Sequence, residues 1–228
     1  MHAQRPASPV RRRALGQWRT FLREFRDSFA TTGAVLPSSR YLARSIAKLD
    51  ADLPPRARLL EAGPGTGAFT DEMIRQLRPG DELVLVEINQ RFVHVLEERL
   101  REDPAWSPKR DQVRLVHGSI EDLPSEERFH AIVCGLPFNN FPPDLVETLV
   151  GRLVEALEPG GTFRFFEYLW IRTLSSPFVG STKRDHQRSV AERLGRFLQD
   201  YGVGRQQVIL NIPPAVVHRL CRDRAGVG

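Results

Sequence analysis

Cysteine is scarce in this chain. The 228 residues hold two, Cys134 and Cys221, and no C-x-x-C pair. That excludes a disulfide framework and a cysteine-built zinc site, and it suits a reducing cytoplasm. No other residues have the spacing of a metal site, so no metal is expected. Long apolar runs are lacking too. No stretch approaches the roughly 18 residues of a membrane span. The start, MHAQRPASPVRRR, is basic, but no apolar h-region follows it and no secretory signal is expected. There is no internal repeat. A charge surplus is missing from most of the chain. Residues 1–30 carry seven of the 33 basic and two of the 28 acidic residues, so the remaining 26 of each cancel. The net charge of +5 therefore sits on one terminal segment. A nucleic-acid-binding face would spread its basic residues over the domain.

What is present reads as one soluble globular domain behind a basic preface. Hydrophobic residues make up 41% and charged residues 27%, an ordinary balance. Residues 11–29, RRRALGQWRTFLREFRDSF, place Leu15, Trp18, Leu22, Phe25 and Phe29 on one helical face. Arg19, Arg23 and Arg26 lie towards the other side. Such a helix can lie flat on an anionic membrane. It can equally dock on the domain with its arginines in water. An RNA-binding arm is a third reading. The preface takes in residues 1–37, and the domain 38–228. A helix is expected over SSRYLARSIAKL, capped by Ser38 or Ser39.

From residue 56 strands and helices alternate. Strands are expected at 57–63, 82–87, 112–118, 130–135 and 162–169, with helices at 70–77, 90–101, 143–157 and 186–200. Two strands, 206–212 and 215–221, follow without a helix between them. The alternation predicts a mostly parallel seven-stranded α/β sheet, Rossmann-like, with helices on both faces. The last two strands must close it as an antiparallel hairpin.

The stretch EAGPGTG at 61–67 lies between a strand and a helix. Gly63, Gly65 and Gly67 allow a tight turn and close backbone approach to a ligand. Glu87 ends the second strand, where an acid can accept both hydroxyls of a ribose. The glycines alone also satisfy the loose dinucleotide pattern. Glu61, two residues ahead of Gly63, the terminal hairpin and the loop CGLPFNNFPP at 134–143 turn the reading elsewhere. Together they resemble the class I S-adenosylmethionine-dependent methyltransferases over about residues 38–221. The resemblance implies S-adenosylmethionine as cofactor. It implies Glu61, Gly63, Gly65, Gly67, Glu87 and Gly135 around it. Many members bind the adenine through an aspartate at the position of Ser119. Here the Ser119 hydroxyl, the Ile120 backbone, Glu121 or Asp122 is left for that task.

Two subfamilies share these motifs. The rRNA adenine dimethyltransferases carry N-L-P-Y after strand four, where this chain has Gly135-Leu136-Pro137-Phe138. Their first residue accepts a hydrogen bond from the target amine, and Gly135 has no side chain for it. The soluble bacterial phospholipid N-methyltransferases are also similar. Their likeness rests on TGAVLPSSRYLAR (32–44), LEAGPGTGAFT, GLPFNNFPPD and NIPPAVVHRLCR (211–222). That resemblance implies methylation of a membrane aminolipid headgroup, phosphatidylethanolamine or an ornithine lipid, by an enzyme peripheral to the cytoplasmic face. On this reading Gly135 opens space that a base-binding enzyme fills. Phe138 offers apolar or stacking surface. A non-catalytic, membrane-associated cofactor-binding protein is the reading from outside enzymology.

Methyl transfer to nitrogen needs a free amine, and a primary lipid amine resembles lysine, with a pKa of about 10.4. A polar group must take its proton. Asn139, Glu167 and Tyr168 are the candidates near strand ends, and Tyr41 is placed to close the pocket. A headgroup phosphate needs cations, and Lys183 and Arg184, with His186, Arg188 and Arg172, follow strand five. The histidines at 94, 117, 130 and 218 sit in helix or strand patterns and read as structural, as does buried Cys134.

Overall fold

The computed structural model describes residues 39–169 and 181–222, and the side chains of 181–183 are not among those described. The basic helix expected at 11–29, Ser38, Arg172 and the Lys183 side chain lie outside that set. The strands are β1 (Arg58–Ala62), β2 (Glu82–Glu87), β3 (Val113–His117), β4 (Phe129–Cys134), β5 (Leu157–Tyr168), β6 (Gly202–Val208) and β7 (Ala215–Cys221). The helices are α1 (Arg40–Ile46), α2 (Thr70–Gln76), α3 (Gln90–Glu102), α4 (Pro143–Glu155) and α5 (Ser181–Tyr201). The sheet order is β3-β2-β1-β4-β5-β7-β6. The first five strands are parallel, and β7 runs antiparallel between β5 and β6. This is the expected α/β sheet with its terminal hairpin.

Local chemistry sets the elements. The central strands are covered on both faces, so they are apolar throughout, as LVLV in β2 shows. Ser39 Oγ accepts the Leu42 N–H at 3.3 Å and caps α1, which settles the choice between the two serines. Asn89 caps α3 by accepting from Arg91 and Phe92 N–H. Pro143 opens α4, at the helical position that needs no N–H donor. Leu42, Ile46, Met73, Phe69 and Phe166 pack on one face of the sheet with Val217 and Val208. On the other face Phe138, Phe141, Phe163 and Phe165 form an aromatic layer. Each fully buried side chain of this kind contributes about 1.5–3 kcal/mol.

Two strands differ from expectation. β5 starts at Leu157, five residues early, because the strand runs on through the Gly160-Gly161 pair with a register shift opposite Phe129. A Cβ at Gly161 would lie 2.9 Å from the Glu158 carbonyl oxygen, so glycine permits the bend. β6 ends at Val208 and not at 212. The apolar run after it, which reads as strand, forms an exposed turn.

Candidate functional site

The chain winds β1-β2-β3 in one direction and β4-β5 in the other, so the strand order reverses between β1 and β4. Open α/β sheets bind ligands beyond the carboxyl ends of the strands at that point. EAGPGTG leaves β1 there, and GLPFNNFPP leaves β4 beside it. Gly63, Gly65 and Gly67 have φ of 71°, 61° and 94°, the left-handed region that favours glycine. Buried Glu87 holds the loop from β2. Its Oε2 accepts the Gly65 N–H at 3.0 Å and its Oε1 accepts the Asn89 N–H at 2.9 Å. Glu87 therefore stands at the end of β2 against the glycine loop, the position where an acid can accept ribose hydroxyls. Glu61 is fully buried and accepts the Thr70 hydroxyl at 2.6 Å, which ties the end of β1 to the start of α2.

The loop is also braced from its flank, by residues that sequence reasoning missed. A Cβ at Gly67 would lie 2.5 Å from the Trp106 ring. Trp106 Nε1 donates to Asp71 Oδ1 at 2.8 Å, and the Arg99 guanidinium lies 4.0 Å from the Trp106 ring centroid. Arg99 bonds Asp71, Asp103 and the Thr66 carbonyl as well. The only sequence sign of this cluster was a tryptophan in a polar stretch. At the third edge position, Asp122 Oδ2 accepts the Ser119 N–H at 2.8 Å. Asp122 thus fixes the turn that presents buried Ser119 and Ile120. The loop, Glu87 and this turn suit a nucleoside cofactor.

The Gly135 N–H donates to the Ala62 carbonyl at 2.9 Å and joins the two loops. A Cβ at Gly135 would lie 2.6 Å from the Gly63 carbonyl oxygen. The expectation that Gly135 opens space is therefore corrected. The position is filled by backbone, and glycine lets β4 approach the cofactor loop. Phe138 is corrected in the same way as a stacking surface. It is 1% exposed and packs edge-on against Phe141 and Phe165. Asn139 is half-buried on the short 3-10 turn Phe138–Asn140.

Glu167 lies near the end of β5 on the same face as this aromatic layer. It is 7% exposed, and its Oε2 lies 2.9 Å from His218 Nε2. His218 on β7 stacks on Phe165 at 5.0 Å between ring centroids. A buried carboxylate–imidazole pair thus spans β5 and β7 on this face, with His218 held in the sheet as its strand pattern led one to expect. The partners are 51 residues apart, so no local motif could show them. Tyr168 points to the opposite face, packed against Phe166. Tyr41 lies on the first turn of α1, 39% exposed, and accepts a bond from Arg40. That bond, then the Arg40 charge, holds the phenol pKa below its ordinary value. Arg184 is exposed at the start of α5, and Arg188 pairs with Glu192. Glu167 and Phe138 of the β4 loop therefore lie on one face of the sheet, while Tyr168 is directed to the other.

Residues 59–161 match a family model described as a methyltransferase domain. Curated relatives include the ribosomal RNA small subunit methyltransferase A of Parasynechococcus marenigrum (strain WH8102), 35% identical over 109 residues. That match covers 48% of this chain and 34% of the relative. The ornithine lipid N-methyltransferase of Singulisphaera acidiphila is 28% identical over 160 residues, covering 66% of this chain and 78% of the relative. The chain thus spans about a third of the ribosomal RNA relative and over three-quarters of the lipid one. Among solved structures, the glycopeptide N-methyltransferase MtfA aligns with a TM-score of 0.61 at 18% identity, over 81% of this chain and 90% of that one. MtfA has also been crystallised with S-adenosylmethionine. A putative rRNA methylase from Clostridium thermocellum aligns at 0.55 and 17% identity, over 79% of this chain and 93% of that one. Glycine loop and strand order agree with these matches: residues 59–161 resemble a methyltransferase domain, and the described residues have the fold of S-adenosylmethionine-dependent methyltransferases.

Proposed function

We propose that this protein transfers methyl groups from S-adenosylmethionine to the headgroup amine of a membrane aminolipid, phosphatidylethanolamine or an ornithine lipid. One observation carries the reading. The ribosomal RNA relative shares about a third of its length with this chain, whereas the ornithine lipid relative shares 78%. Likeness to the RNA enzymes is thus confined to a fraction of their length, and likeness to the lipid enzyme extends over most of it.

The cofactor supplies an activated methyl carbon on a sulfonium. An amine held in line with that carbon would take the methyl group and release a neutral thioether. The residues of this chain do the rest. The glycine loop, braced by Trp106 and Glu87, fixes the donor, and alignment of donor and acceptor supplies much of the rate. A protonated lipid amine has no lone pair, so a proton must leave first. The Glu167–His218 pair is the group beside the β4 loop suited to take it, and proton transfer to a positioned group contributes about 10²–10⁴-fold. Arg184, with Lys183, supplies cations for a headgroup phosphate. The enzyme would work as a peripheral protein on the cytoplasmic membrane face, with residues 11–29 on the anionic surface.

The test is expression of the full chain in a bacterium that makes phosphatidylethanolamine but none of its methylated forms. Mass spectrometry of extracted lipids should show aminolipids heavier by one or more methyl groups. A Gly65→Val control should abolish them. An unchanged lipid profile together with new methyl groups on rRNA adenines would support the second reading, an RNA methyltransferase.

A further inference from the structure

We propose that the turn joining β6 to β7 is a lipid-docking tip that seats the cofactor edge of the sheet on an anionic bilayer. The naming of a bilayer as partner rests on the aminolipid reading. The turn reads ILNIPP at 209–214. Ile209 is 70% exposed, Leu210 68% and Ile212 79%. Three of the five large exposed hydrophobic residues among those described therefore sit on one short turn, and Tyr41 is a fourth. Single exposed apolar residues are ordinary, but a cluster marks an interaction surface.

The turn is built inside out. Its polar residue, Asn211, is 2% exposed. Asn211 Oδ1 accepts the Ser39 N–H at 3.1 Å, and its Nδ2 donates to the Pro213 carbonyl at 2.6 Å. Those bonds fix the turn and tie it to the start of α1, while the aliphatic side chains point to solvent. An ordinary turn puts its polar residues in water.

Location and charge select the partner. Tyr168, at the carboxyl end of β5, pairs with Ala215, the first residue after the turn. The tip therefore stands on the same edge of the sheet as the cofactor and acceptor loops. Beside it, the exposed Arg40 follows Ser39 in the first turn of α1, which Asn211 ties to the tip. Aliphatic side chains beside an exposed arginine suit an anionic lipid surface, where apolar burial and electrostatic attraction act together.

The experiment uses the full chain and vesicles of phosphatidylcholine and phosphatidylglycerol, which contain no amine to methylate by this reaction. Replacing Ile209, Leu210 and Ile212 together with serine should weaken vesicle binding about tenfold or more. S-adenosylmethionine affinity, which reports an intact fold, should not change. A Leu210→Trp variant should gain blue-shifted emission and quenching by brominated lipid when vesicles are added. Unchanged vesicle binding in the serine variant would overturn the proposal. So would Leu210→Trp emission that is already blue without vesicles and insensitive to them, because a segment of this chain would then cover the tip. Failure to methylate any lipid would sink the proposed function and leave this result standing.

Discussion

At the amino ends of the parallel strands, charged side chains satisfy one another. Arg58 on β1 bonds Glu82 on β2 at 2.9 Å and Glu127 at 3.1 Å. Arg114 on β3 reaches the same two acids. Asp50 joins Arg164 at 2.7 Å, Arg219 at 3.0 Å and the Thr162 hydroxyl. At the carboxyl ends the chain does the reverse. It places glycines at positive φ, a buried Glu167–His218 pair and an apolar tip. One edge is closed by its own side chains, and the other carries the glycine loop and an exposed apolar turn. The difference teaches where to expect stability effects without functional ones, and the converse.

Changes at the carboxyl edge should mainly alter function. The largest effect is expected from Gly135→Ala, whose Cβ would meet the Gly63 carbonyl at 2.6 Å. Forcing that loop apart costs about 1–3 kcal/mol. Calorimetry should show S-adenosylmethionine affinity down about 5- to 140-fold, on the scale of 1.4 kcal/mol per tenfold. Glu167→Gln comes next. It keeps the volume and removes the proton acceptor, so kcat should fall about 100-fold while S-adenosylmethionine affinity stays near wild type. An unchanged kcat would assign the pair a structural role.

Changes at the amino edge should alter stability alone. Asp50→Asn leaves Arg164, 7% exposed, without its carboxylate. Removing one partner of a buried pair costs about 3–5 kcal/mol, and the half-exposed Arg219 side brings the expectation down to about 2 kcal/mol in denaturant melts. The acid limb carries a second signature. Burial pushes the Asp50 carboxyl up, but the Thr162 bond and the Arg164 and Arg219 charges outweigh it. The folded pKa therefore lies below the usual carboxylate value. The stabilisation is complete above the unfolded pKa of about 3.9 and is lost as pH falls below it. Asp50→Asn should flatten that part of the stability–pH curve. Arg114→Ala, in a half-exposed network, should cost only about 0.5 kcal/mol, and less at high salt.

The sequence showed the carboxyl edge better than the amino edge, and for a physical reason. Backbone-driven features are local: the glycine turn, Glu87 at a strand end and the alternation of strands and helices all fall within short windows. Side-chain pairs across the sheet are not local. Glu167 and His218, Asp71 and Trp106, or Asp50 and Arg164 meet only after folding. Gly135 was misread because a missing side chain looks like open space until the Gly63 carbonyl is seen to fill it. The boundary of β6 failed because Ile209, Leu210 and Ile212 have strand composition, yet they lie in water on a turn anchored by Asn211. A place where apolar pattern and burial disagree is one where a partner is expected to cover the surface.

The central claim is that the carboxyl edge methylates a lipid amine. The most direct measurement is a competition in one tube: full-length protein, labelled S-adenosylmethionine, vesicles containing phosphatidylethanolamine and ornithine lipid, and small ribosomal subunits. Mass spectrometry then reports which acceptor carries the label. The account predicts label on the lipid amine and none on rRNA. Label on adenine, or no lipid label while S-adenosylmethionine is bound, would contradict it.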